Sequence, residues 1–489
     1  MCPIFQITSK AITAKDIASA QRDIEIATMR GMSQKEVYSH DFFQNSTLFN
    51  GNIPTKPDKA QLVTELEAYL QPEDKIFDPD SDLTTYGIID FMSSVRSAQH
   101  KIKPQSFGDL VKNAHKPATE FKLEMTLFAY DSYVENSLKE GERLRRAADG
   151  TIDIIEIKKD TPLPKQMPQF WALPSNKVKL EQLSREMAMD QCDNVLISGM
   201  VINDELVTPQ IKQPGSPPCD LPELSSWIEE ADSRIPPLVK WSAENGCKRM
   251  LVFSNDADSV CLGLRYWSDF ENAGLCELWV HYGKPRRWIP IHKMKQRIGD
   301  APAKAVIKGH ILTGNDHLSK VGTKHAALHY ISVVNLSTFG ETSVLSEHDI
   351  NVAEEYLVKC YNGVKSICSV KTFDELRLLT KSTKIIGLDQ LPPTSAVIRK
   401  HIRRAYFDIR HDLTLLEEPP QLDPLDFGWR ECDSVFLPDK NLNPIPDEKL
   451  KLCGCAGKCE NAKCNCKKSS QICVIYCHKK VPNSPCLNR

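Results

Sequence analysis

Between residues 84 and 330 the chain alternates short, almost uninterrupted apolar runs with helix-length amphipathic stretches, and this constrains its fold more than any other feature. The runs lie at 85–89, 125–130, 250–253 and 275–280, with helical patterns at 137–148, 179–189, parts of 224–245, and 291–298. Such short apolar runs suit strands covered on both faces, and their alternation with helices predicts an α/β fold with a mostly parallel sheet flanked by helices. Function in such sheets collects at the carboxyl ends of the strands. Three of the four runs end there in an aspartate: Asp90, Asp131 and Asp256. One aspartate after a strand is ordinarily a cap or turn residue. Three in a single sheet point toward a site.

The length of 489 residues gives room for two or three domains, or for one large core with additions. An apolar fraction of 41% and a charged fraction of 26% are ordinary for a globular chain. The formal charge of −2 supplies no whole-molecule attraction to nucleic acid, so any such surface must be a local patch. No run of about 18 apolar residues occurs, so no membrane span is expected. The opening Met1-Cys2-Pro3-Ile4-Phe5 lacks a basic segment followed by a long apolar one, so no signal peptide is expected either. The remainder divides into a lead-in over 1–83, a core over 84–330, an extension over 331–450 and a cysteine-rich tail over 451–489. Pro54, Pro57, Pro72 and Pro79 interrupt the lead-in around one helix near 59–70. The extension carries helical patterns at 352–361 and 372–380, then an extended proline-rich stretch at 417–446.

More carboxylates follow the strand-end set. Glu229-Glu230-Ala231-Asp232 falls where a helix is expected, Asp258 stands two residues beyond Asp256, and Asp316 follows the apolar Ile311-Leu312. Hard divalent ions such as Mg²⁺ or Mn²⁺ prefer oxygen ligands, and cations are what make several close carboxylates tolerable. Two ions about 4 Å apart can activate water and stabilise the departing oxygen of a phosphodiester. Solvent-facing acids scattered by chance are the alternative. Lys139, Arg143 and Arg146 share a helical face by their spacing, with Arg145 near its edge. Guanidinium groups there suit phosphate, although Glu140 and Glu142 also fit a salt-laced solvated face.

The order of these phrases resembles the flap-endonuclease branch of the PIN-like nuclease superfamily. It resembles more closely an uncharacterised, often transposon-associated animal family with the same core. The residues that carry the resemblance begin with Phe128-Ala129-Tyr130-Asp131, followed by Tyr133, Ser137, Lys139, Arg143 and Arg146. Glu229 through Ile235, Asn255-Asp256-Ala257-Asp258 and Arg287-Trp288-Ile289-Pro290-Ile291-His292 come next. Leu312 through Asp316 and Leu391-Pro392-Pro393-Thr394, with His401, Arg404 and Ala405, complete the series.

The resemblance implies a nuclease acting on DNA or RNA, and nuclear residence. It implies metal-site roles for Asp90, Asp131, Glu230, Asp232, Asp256, Asp258 and Asp316, with Glu229 a competitor for Glu230. It also implies contact of a Lys and an Arg, from Lys139 and Arg143 or Arg146, with the scissile phosphate. Gly322-Thr323-Lys324-His325 is similar to the turn those enzymes set against a duplex backbone. The departures are Pro236-Pro237, expected to interrupt the helix presenting Glu230 and Asp232, Asn315 in place of Cys, and His317-Leu318 in place of a Thr pair. These departures keep a second reading open, a nuclease-derived scaffold that binds nucleic acid or protein without cutting.

Eight of the 17 cysteines crowd the last 37 residues: Cys453, Cys455, Cys459, Cys464, Cys466, Cys473, Cys477 and Cys486. Closely paired thiolates suit tetrahedral Zn²⁺, and a segment this short has too little apolar surface to fold unaided. Disulfides are the alternative. The spacing resembles CXC-type modules, in which nine thiolates hold three zincs, and His478 is a candidate further ligand. Eight Lys or Arg against the single acid Glu460 after residue 450 favour phosphate-backbone binding. Docking of a protein partner stays open.

Overall fold

The computed structural model describes residues 12–43, 47–50, 53–101, 103–134, 137–138, 150–202, 205–283, 287–364, 369–455, 458–460, 463–478 and 486–488. Among the helices that precede the sheet are α1 (Ala14–Met29) and α2 (Lys59–Glu67). Thr13 and Asp16 close a capping box on α1, and the Asp58 side chain accepts from the Gln61 amide to start α2.

The expected strands form the centre of an eight-stranded sheet. In chain order they are β1 (Thr85–Asp90), β2 (Met125–Ala129), β3 (Val195–Ile197), β4 (Gln210–Lys212), β5 (Cys219–Asp220), β6 (Arg249–Phe253), β7 (Glu277–His281) and β8 (Trp288–Pro290). Their order across the sheet is β8-β7-β6-β1-β2-β3-β4-β5. The five strands from β7 to β3 run parallel, while β8 pairs antiparallel with β7, β4 with β3 and β5 with β4, so the sheet is mixed. After β1 the chain builds β2 and β3 on one side, then returns to build β6 and β7 on the other. That reversal opens a crevice beyond the carboxyl ends of β1 and β6, the usual seat of a ligand in this architecture.

Every residue of β1, β2 and β6 is buried because helices cover both faces. Alternation along the strands sends Ile88, Leu127 and Val252 into one apolar core, and Ile89, Phe128 and Leu251 into the other. The second core is closed by α3 (Phe91–Lys101), α4 (Phe107–Ala114) and α5 (Pro174–Gln191). The first and larger core takes α2, α6 (Ala231–Glu244), α7 (Ala257–Asn272), α8 (Ile291–Ile298), α9 (Asp300–Leu312), α10 (Lys324–Tyr330), α11 (Glu347–Asn362), α12 (Phe373–Thr383) and α13 (Ser395–Asp412). Helix α11 contains the pattern expected at 352–361, and α12 covers 373–380 of the pattern at 372–380. The helix expected over 137–148 lies almost wholly outside the described residues.

Two expectations are corrected. Helix α6 runs through Pro236 and Pro237 rather than stopping there. Both prolines fall within the second turn, so what is lost is only the pair of amides that would have bonded the carbonyls of Asp232 and Ser233. Burial of Ile235, Leu238 and Val239 in the first core retains the rest. The stretch at 417–446 is not uniformly extended. It contains a hairpin of β9 (Trp429–Cys432) and β10 (Val435–Pro438), turned by Asp433 and Ser434 at φ 50° and 61°, the left-handed pair that a two-residue hairpin loop requires.

Candidate metal centre

Asp90 is the last residue of β1 and is nearly buried. Its two carboxylate oxygens accept from the Ser93 amide (2.9 Å) and the Ser254 hydroxyl (3.1 Å). Ser254 and Ser93 in turn shape the loop after β6. Ser254 Oγ accepts from the Asp256 amide (3.3 Å), and Ser93 Oγ accepts from the Asn255 amide (2.8 Å). The ends of adjacent strands are thereby fastened to each other. Burial first, and the nearby charge of Asp131 second, push the Asp90 carboxyl up to about 7.

Asp131 stands two residues beyond β2, where its Oδ1 accepts from the Ala231 amide (2.9 Å) at the start of α6. Ser132 N donates to the Glu229 carbonyl, and the buried Arg234 donates to Ser132 Oγ (2.7 Å). These bonds set α6 against the end of β2. Asp232 in the first turn of α6 is thereby brought to the crevice, while Glu230 is the N-cap residue of that helix.

Asp232, Asp256 and Asp258 each offer a carboxylate oxygen within 4.8 Å of the others. Asp256 caps α7, accepting from the Asp258 amide (3.1 Å). Asp258 is bonded on both oxygens, Oδ1 to His310 Nε2 (2.6 Å) and Oδ2 to the Lys59 ammonium (2.8 Å). The same ammonium reaches Asp256 Oδ1 (3.4 Å) and Asp316 Oδ1 (3.0 Å). One amine from the lead-in therefore ties three of the expected acids together.

The charges respond accordingly. Burial and then the charge of Asp258 push Asp256 up to about 6. Burial alone would raise Asp258 as well, but Lys59 and then His310 outweigh it and hold it well below the carboxylate range. Burial lowers His310 to about 4, so at neutral pH it is an uncharged imidazole whose Nε2–H donates to Asp258. Burial also disfavours the Lys59 charge, yet its three carboxylates raise its pKa above that of an ordinary lysine.

The expected acids thus divide. Asp256, Asp258 and Asp316 gather around Lys59, Asp232 offers an oxygen within 4.8 Å of Asp256 and Asp258, and Asp90 and Asp131 stand at the neighbouring strand ends. Lys139, Arg143, Arg145 and Arg146 lie outside the described residues. In the Gly322–His325 turn the lysine ammonium points into the protein rather than outward. Lys324 is buried, and its ammonium donates to the carbonyls of His310 (2.6 Å) and Gly314 (2.5 Å) and to Thr313 Oγ1 (3.1 Å), closing the end of α9. Gly322 has φ +75°, and a Cβ there would meet the Cys360 carbonyl oxygen at 2.5 Å, so its role is close packing. Asn315 holds the Asp316 loop, accepting from the His317 and Leu318 amides and donating to Asp408 (3.0 Å).

Sequence reasoning missed Lys59, His310 and Glu181. Glu181 on α5 is fully buried near Asp131, its Oε2 has no hydrogen-bond partner among the described residues, and burial raises its pKa well above the usual value. The signal was present in α5, where Lys177, Glu181 and Ser184 recur at helical spacing on a buried face. His310 likewise interrupts an apolar run just before Asp316. Lys59 gave no local signal, because its partners are about 200 residues away in sequence.

In the tail, the thiols of Cys453, Cys455, Cys459, Cys464, Cys466, Cys473 and Cys477 and the imidazole of His478 form three overlapping groups of four that share Cys453 and could coordinate a metal. Sulfur–sulfur separations are 3.6 Å for Cys453–Cys473 and Cys466–Cys477, and 3.8 Å for Cys464–Cys473. Tetrahedral Zn–S bonds of about 2.3 Å would set the sulfurs about 3.8 Å apart. Disulfide sulfurs would be about 2.05 Å apart. The donor set fits zinc, and the thiols described are free. Cys486 stands outside the three groups. The tail also packs on α1. Ile26 is buried among the cysteines, Arg30 donates to Cys466 Sγ (3.1 Å) and the Ile472 carbonyl (3.2 Å), and Tyr476 bonds Glu25.

No helix among the described residues is long and apolar enough to cross a membrane. No family model and no curated protein matches the chain. A solved structure of the bacteriophage T5 flap endonuclease, a pseudo-enzyme–product complex with DNA and metal ions, is similar at 12% identity over 66% of this chain and 99% of that one. The TM-score is 0.32, too low for the likeness to carry weight here.

Proposed function

We propose that this chain is a divalent-metal-dependent nuclease that hydrolyses phosphodiester bonds of DNA or RNA at the carboxylate crevice. The observation that carries the reading is the convergence of Asp232, Asp256 and Asp258 within 4.8 Å at the point where the sheet reverses its strand order. An all-oxygen, multiply anionic donor set suits Mg²⁺ or Mn²⁺. Bound there, such ions would lower the pKa of a water and offset charge building on the phosphoryl oxygens. Ser93 and Ser254 orient Asp90, the Ala231 amide orients Asp131, and His310 fixes Asp258.

Lys139 with Arg143 or Arg146 is proposed to steady the phosphate. The zinc-bearing tail is proposed to add affinity rather than chemistry, through the exposed Lys458, Lys463, Lys467 and Lys468. The order of sequence phrases supports a PIN-like core over 84–330, kinship with the transposon-associated family, and a nuclear setting.

The Lys59 ammonium on three of the acids favours a second reading, a nuclease-derived scaffold in which an internal cation has replaced the metal. Purified full-length protein incubated with labelled single-stranded, duplex, flapped and RNA substrates separates the two. Cleavage that needs Mg²⁺ or Mn²⁺ supports the nuclease. Binding without cleavage of any substrate supports the scaffold.

A further inference from the structure

We infer that the Lys59 ammonium occupies one of the two cation positions of the carboxylate site, so that the native chain takes a single divalent ion where its acids would otherwise take two. The inference rests on the nuclease reading and narrows its chemistry. Lys59 is the first residue of α2, and its side chain is only 16% exposed. Three carboxylates, two from the start of α7 and one from the loop after α9, converge on it, at 2.8 Å (Asp258), 3.0 Å (Asp316) and 3.4 Å (Asp256). Close carboxylates around a central positive charge are the arrangement a divalent ion would otherwise satisfy.

The second observation concerns Asp258. His310 already donates to its Oδ1 and Lys59 to its Oδ2, so an ion seated among Asp256, Asp258 and Asp316 would have to displace the ammonium. His310 is buried in α9 and cannot withdraw without unpacking that helix. Lys59 is held at the start of α2, whose Leu62, Val63 and Leu66 are fully buried in the main core. The amine is therefore fixed by packing as well as by charge. An ion can still approach the Asp232 side of Asp256, whose Oδ1 alone contacts Lys59. Lys59 is thus a charge-balancing and positioning residue. It holds Asp256 and Asp316 at a fixed spacing around the site without requiring a second metal.

The test counts ions rather than turnover. Full-length protein with its tail loaded with zinc is titrated with Mn²⁺, and free Mn²⁺ is read by electron paramagnetic resonance. Native protein should bind about one ion per chain, and Lys59→Met about two, because removal of the amine vacates a position lined by Asp256, Asp258 and Asp316. Lys59→Arg keeps the charge and should stay at about one. Each variant is scored only where its thermal unfolding matches the native transition, and Lys59→Gln replaces Lys59→Met if the latter does not fold. Two ions on the native chain or on Lys59→Arg would overturn the inference. So would one ion on Lys59→Met and on Lys59→Gln. If no protein in the series binds Mn²⁺, the metal-dependent reading itself fails, and the inference fails with it.

Discussion

Replacing Asp90 by Asn should stabilise the metal-free protein at alkaline pH and leave it nearly unchanged near pH 4. The carboxyl lies at the end of β1, 7% exposed, and burial together with Asp131 pushes it up to about 7 from the usual 3.8. Between those two values the folded state binds a proton that the unfolded chain has released. Stability therefore falls as pH rises through this window, and the full penalty is present above about pH 7. The size of the shift sets that penalty at no more than on the order of 4 kcal/mol. Asn removes the charge and still offers an oxygen to the Ser93 amide, while its amide nitrogen can donate to Ser254 Oγ. The assay is thermal unfolding of native and Asp90→Asn protein from pH 4 to pH 8 in divalent-free buffer with the tail zinc retained. The difference in melting temperature should grow with pH in favour of the variant. Added Mg²⁺ should shrink it, because an ion stabilises only the protein that binds it. A difference independent of pH, or a variant less stable than the native chain at pH 8, would refute the reasoning.

Lys324→Met should lower the melting temperature while leaving nucleic-acid affinity intact, since that ammonium closes the end of α9 rather than facing a ligand; affinity and unfolding measured together decide between these roles. Gly322→Ala should cost roughly 1–3 kcal/mol in denaturant unfolding, because φ is +75° and the new Cβ would press on the Cys360 carbonyl. Stripping zinc should expose α1 as well as the tail to protease, because Ile26 and Arg30 pack on the cysteine cluster; mapping the cleavage sites before and after chelation checks this. Deleting residues 451–489 should flatten the salt dependence of nucleic-acid binding and spare turnover on saturating short substrates, as read from binding at several salt concentrations.

The sheet was legible because its strands are buried on both faces and read as unbroken apolar runs, and the strand-end aspartates followed from them. Chain order alone did not show that β1 and β6 are neighbours, and that pairing is what brings Asp90 and Asp256 to one crevice. The tail was legible from cysteine spacing, but its docking on α1 was not, because that interface joins residues more than 400 apart through Glu25, Ile26 and Arg30. The effect of Pro236 and Pro237 was overestimated, because packing of the following turns outweighs two missing amide donors. Lys59 was invisible for the reason that makes it informative. A lysine at a helix start is ordinary until the fold places it among acids.

The most direct measurement is cleavage of the labelled substrate panel in Mn²⁺ by the native chain and the Asp256→Ala/Asp258→Ala double variant, side by side, with each fold checked by thermal unfolding. Metal-dependent cleavage by the native chain, abolished in a variant that still folds, is the predicted result. Full metal-dependent activity in the double variant would contradict the assignment of hydrolysis to these carboxylates.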